Sequence, residues 1–372
     1  MRRVLFVART RYSLPLDASL ARKWDALRKR LDVRVLAAAA PGSALTDGTF
    51  ELARALRPKA LDGVVYYLAL PFRLSRELRR FRPDAVVAQS PYEGAAVLAA
   101  RRLTRSHAKL VLDVHGDWRT FTRLYGSSLR GALGPAADRL ADAVVRRADG
   151  VRTVSGYTSG LVRELGREPA GVYPAYMDLR SFLDEPPEPL PDRPQALFVG
   201  VLERYKNVDG LAAAWRLAAP RVPGSKLLLV GAGTMRDVPR RLVEDLPEQT
   251  AWMECLSSPE VARALDESTV LVLPSRSEGM GRVVVEALAR GRPVLGARVG
   301  GIPELIEDGV NGVLVAPGDT AALADALAGL LTDRGLVERL AGAARASALP
   351  WILSPEEFAE RQAEIVERVV GG

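Results

Sequence analysis

The chain of 372 residues is 48% apolar and only 6% aromatic, and its net charge is +7. That length favours two domains over one, and no run of about 18 apolar residues is present to span a membrane. One cysteine, Cys255, excludes an internal disulfide and fits a reducing cytoplasm, while His107 and His115 are too few imidazoles for a His/Cys zinc site.

The charge is unevenly spread. Residues 1–190 hold 32 basic and 20 acidic side chains, whereas residues 191–372 hold 20 and 25. A basic first half invites nucleic acid, an anionic lipid surface or an acidic acceptor as partner. Its arginines are dispersed, with no helix-turn-helix, zinc or aromatic RNA-binding pattern beside them, so nucleic acid is not expected.

The opening MRRVLFVARTRY has an apolar core shorter than the roughly 7–15 residues of a signal peptide, and Arg9 and Arg11 follow at once. It reads as a buried strand over residues 4–8. Four more strands are expected at residues 33–37, 85–88, 109–114 and 150–154. Between them the segment FRLSRELRRFR, residues 72–82, is basic and amphipathic, with Leu74, Leu78 and Phe81 on one stripe. It fits either contact with an anionic membrane or an ordinary core-packed helix.

Next comes DEPPEPLPDRP, residues 184–194, whose prolines cannot continue a helix or a central strand. Beyond it, strands are expected at residues 196–199, 226–230, 270–273, 293–297 and 312–315. Short Val/Leu runs alternating with helical patterns predict parallel sheets covered on both faces. The fold class is therefore α/β, with two Rossmann-like domains facing across a cleft. The expected division is residues 1–185, a Pro-rich linker at 186–194, residues 195–350, and a tail at 351–372.

Ligands gather at the carboxyl ends of parallel strands. That rule singles out the loops at residues 9–16, 115–119, 200–207, 231–235 and 274–281. In SEGMGRVVVEALARGRPV, residues 277–294, a strand leads through a glycine loop into a helix from Arg282 to Ala289. The amides of Met280, Gly281 and Arg282 would lie unpaired at the positive end of the helix dipole, a ready site for an anion. Glu286 falls one turn inside, where a carboxylate among apolar neighbours needs hydrogen-bond donors. Ribose hydroxyls are suitable donors.

Glu278 and Glu286, with seven residues between them and Gly279 and Gly281 inside, resemble the E-x7-E signature of the retaining GT-B glycosyltransferases of the group-one family. The following GRPVLGARVGGIPELIEDGVNGVLV is similar to that family too. The resemblance implies a sugar transferred from a nucleotide-diphosphate donor, UDP- or GDP-linked by base rate, to a hydroxyl acceptor, without metal or other cofactor. It implies an acceptor domain first, a donor domain second, and a last helix crossing back to the first. Glu286 would hold the ribose, Glu278 the donor sugar, and the Gly279, Met280, Gly281 and Arg282 stretch the diphosphate or the sugar.

In FVGVLERYKNVDG, Lys206 matches the family's lysine, but Val201 stands where its arginine is usual, so Arg204 is the candidate substitute. His115, in KLVLDVHGDWR, matches a histidine that lines the donor sugar, and Asp117 is either an acceptor contact or a helix cap. Gly200, together with Gly231 and Gly233 of VGAGTM, resembles the turns beside the nucleotide. On the acceptor side the candidates are Arg9, Arg11, Tyr12, Asp117 and Tyr176. The N-terminal loop and the stretch around Tyr176 depart from the family pattern. A nucleotide-sugar epimerase, a glycosyl phosphorylase or a non-catalytic nucleotide-sugar-binding protein stay open as alternatives, with a cytoplasmic, optionally membrane-associated, location.

Overall fold

The computed structural model describes residues 1–54, 59–120 and 128–372. The chain divides into two compact units, residues 1–176 with 353–372 and residues 177–352. In the first unit β1 (Arg3–Tyr12), β2 (Asp32–Ala39), β3 (Phe50–Ala53), β4 (Ala85–Ala88), β5 (Lys109–Val114), β6 (Gly150–Thr153) and β7 (Gly171–Val172) form one sheet. Its order is β3-β2-β1-β4-β5-β6-β7, and the pairings are parallel.

In the second unit β8 (Gln195–Val199), β9 (Lys226–Val230), β10 (Thr250–Met253), β11 (Val270–Leu273), β12 (Val294–Ala297) and β13 (Gly312–Val315) pair in the order β10-β9-β8-β11-β12-β13, again in parallel. Each order reverses once, between β1 and β4 and between β8 and β11. At such a reversal the loops leave toward opposite faces, and a crevice opens at the strands' carboxyl ends.

The central strands β4, β6, β11 and β12 are buried along their whole length. Helices cover both faces of such sheets, which is why β4, β11 and β12 are nearly continuous Val, Leu and Ala runs rather than alternating ones, while β6 (GVRT) carries the buried Arg152. The strands absent from the sequence expectation, β3, β7 and β10, all lie at or next to a sheet margin. There β3 alternates buried and half-buried side chains, and β7 has two residues, so neither carries a continuous apolar signal.

The first unit's core joins Trp24, edge-on to Phe6 at 5.2 Å and to Phe50 at 5.3 Å, with Phe358, Ile365, Val366 and Val369 of the last helix, Pro355–Gly371. That helix starts in a capping box, where Ser354 Oγ accepts from the Glu357 amide at 3.1 Å and Glu357 Oε2 accepts from the Ser354 amide at 2.8 Å. In the helix Lys59–Arg80 the stripe expected to be amphipathic faces inward. Leu74 and Leu78 are buried, and Phe81 packs against the same core.

The Pro-rich stretch lies within the second unit rather than between the two. Extended backbone without a strand partner needs other hydrogen bonds. Two buried guanidinium groups supply them. Arg290 donates to the carbonyls of Glu185 at 2.9 Å and Pro186 at 3.1 Å, and is paired with Asp266 at 2.6 Å. Arg292 donates to Glu188 at 2.9 Å, Pro189 at 3.0 Å, Leu265 at 2.9 Å and Asp266 at 2.8 Å, the last two through their backbone oxygens as well. Replacing Arg292 by Met should remove the side-chain donor to the carbonyls of Glu188 and Pro189 and destabilise the second unit by about 3 kcal/mol. Its urea midpoint, followed by tryptophan fluorescence, checks the loss.

Candidate active site

The reversal in the second sheet sets the loop after β8 beside the loop after β11. The first loop turns through a 3-10 segment, Arg204–Lys206, into Asn207 and the helix Val208–Ala218. The second, residues 274–281, leads into the helix Arg282–Ala289, whose bounds are those expected from sequence. Arg276 clamps the two together. Its amide donates to Tyr205 O at 2.7 Å, and its guanidinium donates to Arg204 O at 2.7 Å and to both carboxylate oxygens of Asp209 at 3.0 and 2.8 Å.

This clamp brings Lys206 and Glu278 together. Lys206 Nζ lies 2.5 Å from Glu278 Oε2, and Ser275 Oγ donates to the same oxygen at 3.4 Å. Lys206 is only 9% exposed, and an ammonium taken out of water needs a counter-charge. Glu278 supplies that counter-charge.

The loop bearing Glu278 is backed by Gly300 and Gly301, which follow β12. Gly301 donates to Glu278 O at 3.1 Å. A Cβ on Gly300, at φ +56°, would fall 1.8 Å from that oxygen, and one on Gly301 2.4 Å from Gly279 O. Only glycine permits this approach. Gly279, Met280 and Gly281 are buried, and Gly281, at φ +85°, starts the next helix with no side chain capping its first amides.

Glu286 lies one turn into that helix. Its residue keeps some surface open to solvent, yet makes no hydrogen bond or ion pair with a described side chain. Burial pushes its carboxyl above the ordinary range, with the exposed Arg282 pulling weakly the other way.

Gly200, Gly231 and Gly233 bring the loops after β8 and β9 into contact: Gly200 donates to Val230 O at 3.0 Å, and a Cβ on Gly231 would fall 1.9 Å from Gly200 O. Gly233 meets the Leu202 backbone the same way. Glu203 locks these loops further, accepting from the Thr234 amide at 3.0 Å and hydroxyl at 2.6 Å. Arg204 is exposed; the clamp uses its carbonyl, and its guanidinium pairs with no described carboxylate.

In the first unit, His115 stands at the carboxyl end of β5. Its Nε2 is 3.1 Å from Asp113 Oδ2, and Arg152 Nη1 is 2.5 Å from Asp113 Oδ1. Burial works to raise the Asp113 carboxyl, but the Arg152 guanidinium and His115 outweigh it and hold it well below the usual carboxylate range. Arg152, fully buried, also donates to Tyr173 O at 2.7 Å and Pro174 O at 2.6 Å and stacks 4.1 Å from the Tyr173 ring. The carboxylate thus fixes the orientation of the His115 ring through Nε2.

Three acceptor-side candidates make contacts within the first unit itself. Tyr12 is a core residue, 5.2 Å from the Phe50 ring, and burial pushes its hydroxyl up to about 12. Asp117 takes the helix-cap alternative, accepting from the Arg119 amide at 2.9 Å and the Thr120 hydroxyl at 2.5 Å. Tyr176 packs its ring 5.8 Å from Phe358 of the last helix. Arg9 and Arg11 remain exposed at the end of β1. Sequence reasoning missed Arg276, Asp113 and Arg152. A carboxylate inside the apolar strand LVLDV was a signal for Asp113; nothing local marked Arg276.

Comparison with known proteins bears on the same segments. Residues 193–333 match the family model of glycosyl transferases group 1, and residues 18–174 that of the glycosyl transferase 4-like domain. The chain is 28% identical to the glycogen synthase of Mycobacterium tuberculosis over 319 residues, 84% of this chain and 75% of that protein. It is 33% identical to the D-inositol 3-phosphate glycosyltransferase of Nocardia farcinica over 181 residues, 46% of this chain and 40% of the relative. Among solved structures, sucrose-phosphate synthase from Thermosynechococcus elongatus superposes with a TM-score of 0.79 at 18% identity, covering 100% of both chains. Anabaena HepE, solved with UDP and glucose, gives 0.72 at 20% identity over 98% of this chain and 99% of that one.

The Glu286 environment makes a prediction about stability. A carboxyl raised in the folded state ionises first in the unfolded chain, so stability falls as pH climbs from about 4.5 through the folded value. Glu286→Gln should therefore be more stable than wild type at pH 7–8, and the two should converge near pH 4. Urea midpoints measured across that pH range test the trend.

Proposed function

The chain belongs to the group 1 glycosyltransferases and has their GT-B fold, and from that premise we propose that it moves a sugar from a nucleoside diphosphate to a hydroxyl with retention of anomeric configuration and without a metal. The observation that carries this reading is the Lys206–Glu278 pair, 2.5 Å apart, beside an uncapped helix start and the unpartnered Glu286. Glu286 accepts hydrogen bonds from the ribose hydroxyls, which supply the donors the protein withholds. The amides from Met280 to Arg282 receive the diphosphate at the positive end of the helix dipole.

As the glycosidic bond breaks, negative charge grows on the leaving phosphate, and Lys206 is the cation held ready for it. Glu278 orients the donor sugar through its hydroxyls. His115, with its ring held by Asp113, is the first unit's candidate for a sugar contact. The departing phosphate assists removal of the acceptor proton, so no separate nucleophile and base are required. UDP and GDP donors are the leading candidates, and the HepE complex contains UDP and glucose.

Lys206→Met should lower kcat by roughly 10²–10³ while changing donor KM much less. Glu286→Ala should act mainly on donor KM. Both are read from nucleoside diphosphate release with a panel of UDP- and GDP-sugars. Release of an epimerised donor or a sugar phosphate in place of a glycoside would reject transfer in favour of the alternatives.

The partner surface follows from the helix Lys59–Arg80. Val64, Val65, Leu68 and Phe72 lie on one face and are exposed, Phe72 by 74%. Arg76, Arg79 and Arg80 continue toward the helix end and are exposed as well. This apolar face beside arginines suits peripheral contact with an anionic membrane on its cytoplasmic side, and no helix among the described residues is long and apolar enough to cross one. Leu68→Glu/Phe72→Glu should abolish sedimentation with phosphatidylglycerol vesicles while donor hydrolysis in solution is unchanged.

A further inference from the structure

Resting on the reading of the chain as a glycosyltransferase, we propose that the carboxyl end of β1 is an oxyanion site that selects acceptors bearing a phosphoryl or carboxylate group. Strand β1 pairs with β2 in step as far as Val7↔Leu36 and resumes at Arg11↔Ala38. Extra residues in β1 therefore form a bulge, a device that re-aims side chains at the rim of a sheet. The bulge lies at the reversal between β1 and β4. It is tied across that reversal, for the Gln89 amide donates to Val7 O at 3.1 Å and Thr10 Oγ1 bonds Gln89 Oε1 at 3.1 Å.

On this bulge Arg9 and Arg11 converge on one carboxylate. Arg9 Nη2 lies 3.6 Å and Arg11 Nη2 2.9 Å from Asp62 Oδ2. Asp62 is buried, whereas each arginine side chain is 40% exposed. One carboxylate offsets one guanidinium, so a positive charge is left over at the crevice where open parallel sheets take ligands.

Arg9 is seated in advance. Gly63 leaves the space its guanidinium occupies, since a Cβ there would come within 2.9 Å of Nη2. The Tyr67 ring centroid is 6.0 Å from its Cζ. Behind it, Tyr67 donates to the buried Glu93 at 2.9 Å. Burial raises the Glu93 carboxyl, against hydrogen bonds from Ser90 and Tyr67, which weakens it as a counter-charge to the arginines. Two planar forks held in place match the paired oxygens of a phosphoryl or carboxylate group, and their ordering cost is already met.

The test uses the full chain saturated with whichever nucleoside diphosphate binds it, so that the donor's anion site in the other unit is filled. Methyl phosphate and acetate are then titrated by calorimetry. Saturable binding to wild type, weakened roughly tenfold or more in Arg9→Gln/Arg11→Gln with nucleotide affinity unchanged, is the expected result. No saturable binding of either anion to wild type, or equal binding in the double variant, overturns the proposal. Failure of every nucleoside diphosphate to bind would instead overturn the donor reading. The anion titration, repeated on the nucleotide-free protein, still compares wild type with the double variant. Phosphatidic acid vesicles distinguish the sources: weaker vesicle binding by the double variant identifies a lipid-borne acceptor, and unchanged vesicle binding with lost methyl phosphate binding a soluble one.

Discussion

A lysine that is buried must be given a counter-charge, and the loops at the reversal of the second unit's sheet are arranged around that requirement. Lys206 and Glu278 are 72 positions apart in sequence. They meet because β8 and β11 are neighbours across the reversal of the sheet. Arg276 joins the two loops through carbonyls and Asp209, and Gly300 and Gly301 press the Glu278 loop from behind. Shifting any of these would separate the pair by more than a hydrogen bond's reach and leave the ammonium poorly compensated.

Other buried charges are satisfied from within the protein. Arg152 is matched to Asp113 and two carbonyls, and Asp113 in turn orients His115. Arg290 and Arg292 do the same for the Pro-rich stretch, whose missing amides leave its carbonyls to be met by side chains. Glu286 is the contrast. It is enclosed enough for its carboxyl to be raised, and no described side chain bonds it. In the proposed reading, a ligand's own donors complete that group.

Most of the sheet and the main loops were legible in the sequence. The strands flanking each reversal are buried on both faces, so they are written as unbroken apolar runs. The helix Arg282–Ala289 was legible to the residue because a glycine in the left-handed region and a glycine after its end, Gly291 at φ +65°, punctuate it. Edge strands such as β3 and β10 escaped, since one-sided burial carries a weaker pattern. The contacts of Tyr12, Asp117 and Tyr176 were not legible for a related reason. A polar residue after a strand can point outward, inward or along the backbone, and neighbours distant in sequence decide which.

By itself the sequence determined the α/β class and the positions of the loops that follow the strands, and it singled out Glu278, Glu286 and Lys206 as candidates, because periodicity, glycine spacing and helix starts are local properties of the chain. Which charge answers which was decided by tertiary structure alone. Arg276 with Asp209, Arg152 with Asp113 and Asp62 with Arg9 and Arg11 are all pairs brought together by sheet order. An ion pair depends on distance in space, and nothing in the spacing of residues along the chain encodes that distance until the strands are laid side by side.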